Sequence, residues 1–257
     1  MMGRFATTVA LYEALRPPYP AEFFRTVAQR LSFGKQHALI DLGTGPGLLA
    51  LGFAPYVGRI VGVDPEPAML DAARQAAGRA SCALELIEGK AEDLPAAIDR
   101  FDVVTIGRAL HWMDRDAMPA LLERLVAQDG TIVVCSSGPA RDGRNPWLDD
   151  YTTARRAWSD DGLWSEAAKG EQAHRDLAAF LANTPFHVAD VIMVETKQEI
   201  SASDLARRVL TFSSSSLQVL GDRADAMLRD VEARLASHGR DGLLSEIVVS
   251  AAQVARR

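Results

Sequence analysis

The sequence has only two cysteines in 257 residues, Cys82 and Cys135. Both fall beside or inside segments that read as strands, so they serve as small core residues rather than as a disulfide. No Cys/His spacing matches a metal-binding pattern, and no metal is expected. Nowhere does the chain reach the roughly 18 consecutive apolar residues of a membrane-spanning helix, so no membrane insertion is expected. The opening MMGRFATTVALYEALRP has only a short apolar run, interrupted by Tyr12 and Glu13, and lacks the apolar stretch of a secretion signal. A cytoplasmic location is the expectation. An excess of positive charge is missing too: the formal net charge is −6. Without a broad attraction to phosphate backbones, no nucleic-acid partner is expected. There is no internal repeat and no low-complexity tail. What remains has the composition of an ordinary globular protein, 48% hydrophobic and 24% charged. The length suits one large domain or one domain with an insert, as a monomer or homodimer.

The most informative stretch is HALIDLGTGPGLLA, His37 to Ala50. Ala38 to Leu42 is a short apolar run, as in a strand buried on both faces. Gly43, Thr44, Gly45, Pro46 and Gly47 follow, and an apolar helix begins at Leu48. Alternate glycines let the backbone take positive φ and approach a ligand, and the helix start offers N–H groups to it. A second strand, Arg59 to Val63, stops at Asp64, where a carboxylate can accept hydrogen bonds from both hydroxyls of a ribose. The pattern is that of a nucleoside-cofactor site. Gly45 to Ala50 also fits the dinucleotide fingerprint, so a nicotinamide cofactor is a rival.

Further motifs separate the two. The run D-L-G-T-G-P-G, with Asp41 two residues before the first glycine, resembles motif I of the class I S-adenosylmethionine-dependent methyltransferases. Gly58 to Ala73 (GRIVGVDPEPAMLDAA) resembles that family's second motif, and Gly89 to Pro95 (GKAEDLP) its adenine loop. Phe101 to Asp114 (FDVVTIGRALHWMD) resembles the fourth-strand motif of the type 11 branch, which includes ubiquinone- and menaquinone-biosynthesis-like enzymes. Tyr12, Arg16, Pro17, Tyr19 and Pro20 match the Y-x-x-x-R-P-x-Y-P leader of that branch. Glu246 to Arg257 resembles the family's last strand. Motif similarity covers residues 12 to about 137.

The expected fold is α/β: a Rossmann-like, mostly parallel seven-stranded sheet with an antiparallel last strand, helices on both faces and a helical insert. Residues 1–34 read as a helical leader and 35–137 as the cofactor-binding core. Residues 138–187 read as a helical lid insert, and 188–257 as the strands and helices that complete the sheet. Strands are predicted at Ala38 to Leu42, Arg59 to Val63, Ala83 to Glu88, Phe101 to Ile106, Gly130 to Ser136, Val188 to Ile200 and Ser245 to Val254. Helices are predicted near Gly47 to Ala54, Pro67 to Gly78, Asp116 to Gln128 and Asp222 to Ser237. Ser201 to Asp204 resembles a capping box, and Ser213 to Ser216 reads as a polar loop. Trp147, Tyr151, Ala154 and Trp158 share a helical face, either to dock the insert or to wall a substrate pocket.

The resemblance implies roles residue by residue. Asp41, Gly43, Thr44, Gly45 and Gly47 fall to the methionine portion of S-adenosylmethionine and nearby backbone. Asp64, followed by Pro65, falls to the ribose. Met69 lies against the adenine or is plain core. Lys90 stands where relatives carry an aspartate, so recognition of the adenine falls to the backbone of Ala91 and to Glu92 or Asp93. Arg108 borders the cofactor, and Arg16 and Arg108 are candidate partners for an anionic substrate group. Tyr12, Arg16, Tyr19, His111, Trp112, Trp147 and Tyr151 are candidates for the substrate and lid surface. His111 is the candidate general base, or shapes the crevice only. The stretch Gly107 to Leu110 lacks the N/D-P-P-Y of nucleobase amine methylation. The implied function is methyl transfer to a small-molecule acceptor, at oxygen or carbon, leaving S-adenosylhomocysteine. The rivals are an NAD(P)-dependent oxidoreductase and a non-catalytic S-adenosylmethionine-binding protein.

Overall fold

The computed structural model describes residues 11, 14–165 and 177–257. Its strands are β1 (Ala38–Leu42), β2 (Arg59–Asp64), β3 (Glu85–Glu88), β4 (Phe101–Gly107), β5 (Val126–Pro139), β6 (His187–Ser201) and β7 (Leu243–Arg256). They form one sheet in the order β3-β2-β1-β4-β5-β7-β6. The first five strands pair in parallel, and the last strands run antiparallel. The expected seven-stranded Rossmann-like sheet is present.

The chain divides into two compact units. One comprises Tyr19–Ser136, Lys169–Val194 and Ser250–Arg257. It contains α1 (Ala21–Arg30), α2 (Leu48–Phe53), α3 (Pro67–Arg79), α4 (Met118–Leu125) and α5 (Leu177–Phe180). β1 and β2 are almost wholly buried, which accounts for their unbroken apolar runs. One apolar cluster joins Ile40, Leu42, Val104 and Ile106 to Leu121, Leu122 and Leu125 of α4. A second joins Leu39, Ile60 and Val103 to Phe23, Phe24 and Val27 of α1 and Phe53 of α2.

The fourth helix is shorter than its sequence pattern suggests. It ends at Leu125, and Val126 is already extended and in register with Phe101. A β-branched residue opposite a neighbouring strand gains more from the ladder than from another helical turn. β3 likewise starts at Glu85, two residues later than expected, because only from there is it paired with β2.

The other unit comprises Met1–Pro18, Ser137–Ala168 and Glu195–Val249. Its helices are α6 (Leu148–Trp158), α7 (Ala202–Val209), α8 (Leu217–Leu220) and α9 (Ala224–Leu235). Ser201 caps α7 as expected: its hydroxyl accepts from the Asp204 amide at 2.9 Å. Trp147, Tyr151 and Ala154 pack with Leu205, Ala206 and Val209 of α7 and Met227, Val231 and Leu235 of α9. The aromatic face of α6 therefore docks on helices of its own unit. On α9, Met227 rather than Leu228 is the fully buried residue. The serine run is a 3-10 turn (Ser213–Ser215) rather than a plain loop. Ser214 and Ser215 are buried there because their hydroxyls bond Ser159 Oγ at 3.1 Å and the Val209 carbonyl at 2.8 Å. Among the described residues no helix is long and apolar enough to cross a membrane, and no group of His, Cys, Asp and Glu can hold a metal.

Candidate functional site

The residues singled out in the parallel part of the sheet meet at the carboxyl ends of β1, β2 and β4, where open α/β sheets bind ligands. Asp41 is 1% exposed on β1, in register with Gly62 of β2 and Thr105 of β4. Thr105 Oγ1 donates to Asp41 Oδ1 and Thr44 Oγ1 to Asp41 Oδ2, each at 2.8 Å. Burial pushes the Asp41 carboxyl up to about 6. The Thr105, Thr44 and Ala50 hydrogen bonds oppose that rise, and the nearby Asp64 charge adds to it. Asp41 thus acts on the glycine loop through Thr44, which it ties to the strand.

The loop is held from below by one atom. Gly43 and Thr44 both donate their amides to the Val63 carbonyl at 2.9 Å. Gly43, Gly45 and Gly47 have φ of 69°, 53° and 88°. At Gly43 an added Cβ would come within 2.4 Å of Ala109 Cβ, so the loop is pressed against the segment after β4. At Gly45 an added Cβ would meet nothing within 4 Å, so that side of the loop is an open cradle.

Asp64 closes the second strand and is 8% exposed. Its Oδ2 accepts from the Gly45 amide at 2.8 Å and its Oδ1 from the Glu66 amide at 3.0 Å. Burial raises its proton affinity above the ordinary carboxylate value, against those two hydrogen bonds. A carboxylate has about four acceptor positions, so two remain for a diol. The open cradle and this carboxylate fit a nucleoside. Pro65 leads into α3, whose first turn buries Met69.

Ala91 is buried at the start of a 3-10 turn (Ala91–Asp93). Glu92 accepts from the Asp114 amide, whereas Asp93 is exposed. After β4, Arg108 takes a left-handed φ of 57°, rare for a side-chain-bearing residue. Its guanidinium lies 5.0 Å from the Tyr19 ring centroid. A Cβ at Gly107 would lie 3.6 Å from Tyr19 Oη, which puts the tyrosine at the same strand end. His111 and Trp112 follow in a 3-10 turn, rings 4.7 Å apart, with Trp112 48% exposed.

The remaining candidates belong to the other unit. Arg16 donates to the Thr211 carbonyl at 3.0 Å, and its guanidinium lies 3.9 Å from the Phe212 ring centroid. Trp147 is 1% exposed and donates Nε1–H to the Ser245 carbonyl at 2.9 Å, so it is core. Tyr151 packs edge-on against it at 5.8 Å. Tyr12 lies outside the described residues. Thr105 and Ala109 also belong to the site, though neither is among the candidates that the sequence motifs mark. A lone threonine inside the apolar strand FDVVTIG was the available signal for the first.

Residues 39–128 match the family model described as a methyltransferase domain. The chain spans about half the length of the curated relatives it matches. YcgJ of Bacillus subtilis (strain 168), an uncharacterized methyltransferase, is 33% identical over 119 residues, 45% of this chain and 46% of that protein. Two solved structures of S-adenosylmethionine-dependent methyltransferases, both in complex with S-adenosyl-L-homocysteine, share the fold. The one from Thiobacillus denitrificans has a TM-score of 0.58 at 14% identity and covers 97% of each chain. The one from Geobacter sulfurreducens has a TM-score of 0.54 at 17% identity and covers 96% of each. Strand order, glycine loop and acid-ended second strand thus accompany a match of residues 39–128 to a methyltransferase domain.

Proposed function

We propose that the protein is an S-adenosylmethionine-dependent methyltransferase of the type 11 branch, acting on a small-molecule acceptor at oxygen or carbon by in-line displacement. The observation that carries this is the Gly45–Asp64 pair: an open backbone cradle beside a carboxylate with acceptor positions to spare. When bound, S-adenosylmethionine supplies a methyl group on a sulfonium whose leaving group is a neutral thioether. The protein's own work is then mainly positioning, which needs no catalytic triad.

In this reading the loop from Gly43 to Gly47 holds the methionine portion by backbone approach, and Asp41 keeps it in shape through Thr44. Asp64 takes the ribose hydroxyls. Met69 and the Ala91 backbone flank the adenine, with Glu92 or Asp93 for its exocyclic amine. Tyr19, Arg108, His111 and Trp112 border the end of β4 and shape the acceptor side. His111 acts as general base only if the acceptor brings a proton that must leave. A cytoplasmic setting, a monomer or homodimer, no nucleic-acid acceptor and a lid formed by residues 138–187 belong to the same proposal. The net charge of −6 supports its nucleic-acid clause.

Calorimetry on the purified chain tests the cofactor. S-adenosylhomocysteine binds in the micromolar range, Asp64→Ala weakens it at least about tenfold, and NAD(H) does not compete. Binding of NAD(H) in its place would overturn the reading. Transfer of radiolabelled methyl groups into a fraction of cell-extract small molecules then separates an enzyme from a silent binder, which labels nothing.

A further inference from the structure

Within the unit made of Tyr19–Ser136, Lys169–Val194 and Ser250–Arg257, the short segment after β4 is touched by both loops of the candidate cofactor site. At its start Ala109 presses on the glycine loop and leaves no room for a Cβ at Gly43. At its end the Asp114 amide donates to Glu92 Oε1, which ties the segment to the Ala91–Asp93 turn. Between these two contacts lies the 3-10 turn Leu110–Trp112, where the Trp112 amide donates to the Ala109 carbonyl at 2.9 Å. Trp112 is 48% exposed, so its ring reads the placement of that turn.

Glu92 meets the segment where it leads into a helix. Asp114 Oδ1 accepts from the Asp116 and Ala117 amides at 2.8 and 3.2 Å, and the Asp114 carbonyl accepts from the Met118 amide at 3.0 Å. The start of α4 is thus fixed around Asp114, and the Glu92 carboxylate grips that residue from the other side. Further along, Arg124 on α4 donates to the Pro95 carbonyl at 2.6 Å and to the Leu94 carbonyl at 3.1 Å. The far end of the loop is therefore anchored to the helix, and Ala91 and Leu94 share one apolar cluster with Ala109 and Leu110. Glu92 is half-buried where this frame meets the cofactor site. A carboxylate has about four acceptor positions, so it can hold the Asp114 amide and still take an amine.

We propose that Glu92 is a positioning residue that couples the adenosyl site to the Leu110–Trp112 turn, so that an occupied site fixes the turn and with it the acceptor side. The inference rests on the methyltransferase reading, in which adenine packs against Ala91. Adenine in that place holds the Ala91–Asp93 turn, and Glu92, its middle residue, then holds the Asp114 amide. A bond from a backbone amide to a carboxylate is among the stronger ones a loop can make. A ligand shifts such a turn only through its different affinity for the two placements, and the coupling is reciprocal. The acceptor therefore meets a finished surface only after the cofactor is seated.

The test titrates the full chain with S-adenosylhomocysteine, following tryptophan emission and its quenching by acrylamide, with calorimetry on the same samples. In the parent, saturation shifts the emission to shorter wavelength and lowers the quenching. Trp112→Phe removes that change, which assigns it to this ring rather than to Trp147, Trp158 or Trp164. Two conservative variants then separate reach from charge. Glu92→Gln keeps an acceptor oxygen at the same reach and keeps the change. Glu92→Asp keeps the charge, falls a methylene short of the amide and loses the change. Both are compared at saturation, so weaker binding does not enter, and binding itself shows that each is folded. A change that survives in Glu92→Asp, or is lost in Glu92→Gln, would overturn the proposal; the first would mean that the cofactor acts on Trp112 directly. Binding to the parent without any change in emission or quenching would overturn it too, and leave the methyltransferase reading intact. Failure of the parent to bind S-adenosylhomocysteine would overturn that reading and this proposal together.

Discussion

Asp41 and Thr105 face each other across β1 and β4, and the threonine hydroxyl donates to the carboxylate at 2.8 Å. Because Thr44 bonds the other carboxylate oxygen at the same distance, one buried acid links the sheet to the glycine loop. Replacing Thr105 by valine keeps the shape and removes one donor to a buried charge. The expected loss is about 2 kcal/mol of stability, read from urea unfolding, with weaker S-adenosylhomocysteine binding as the loop loosens. Thr105→Ser retains both. If valine and serine behave alike, the hydroxyl does not anchor the acid.

The same acid gives the fold a pH dependence of definite sign. Burial raises the Asp41 carboxyl from its ordinary 3.8 to about 6, so the folded state holds this proton more tightly than the unfolded chain. Its contribution to stability is therefore fully present below the unfolded value and is lost as pH rises through the folded one. The loss falls between pH 3.8 and about 6 and amounts to about 3 kcal/mol. The raised Asp64 adds a loss of the same sign. Denaturant unfolding of Asp41→Asn across this window shows a flatter pH dependence than the parent, leaving the Asp64 part. An unchanged slope would place the titration elsewhere.

Two glycines of the loop, Gly43 in close contact and Gly45 facing open space, separate folding from binding. Both have positive φ, so alanine at either strains the backbone by about 1–2 kcal/mol. At Gly43 the new methyl also collides with Ala109, so Gly43→Ala loses stability well beyond the strain. At Gly45 the methyl enters open space, so Gly45→Ala unfolds only slightly more easily but loses most of its affinity for S-adenosylhomocysteine. The crossed pattern, stability lost at one and binding at the other, is the signature of a cradle. Equal effects at both positions would argue against it.

The parallel half of the sheet was legible because strands buried on both faces are unbroken apolar runs, and β1, β2 and β4 fall within a residue of their expected bounds. Asp41 and Asp64 stood out as acids ending such runs. Their local rules are short-range, so a single sequence displays them. What the chain concealed depends on partners far along it. Val126 leaves its helix for a strand because Phe101 waits opposite. Thr105 matters because of a residue 64 positions away. The tryptophans of the insert were visible as a face, but only the packed structure shows that α7 and α9 cover it. Arg208 and Glu246 carried no signal at all, being ordinary charges in an amphipathic helix and an alternating strand.

That pair makes the most demanding prediction. Arg208 and Glu246 are 3% and 0% exposed, joined by bonds of 2.6 and 3.0 Å. Arg208 Nε also donates to the Leu15 carbonyl at 2.6 Å, so the arginine holds the leader as well as the strand. Two charges withdrawn from water cost much of what their attraction returns, so the pair's net contribution is small. Removing one partner strands the other in an apolar setting. Arg208→Met and Glu246→Leu are each expected to cost about 3–5 kcal/mol. The double variant costs less than either single one, because no buried charge is left alone, though Leu15 and Gln198 each still lose a partner. A double-mutant cycle by urea unfolding measures this. If the two single losses simply add, water reaches the site and the pair is not buried in solution.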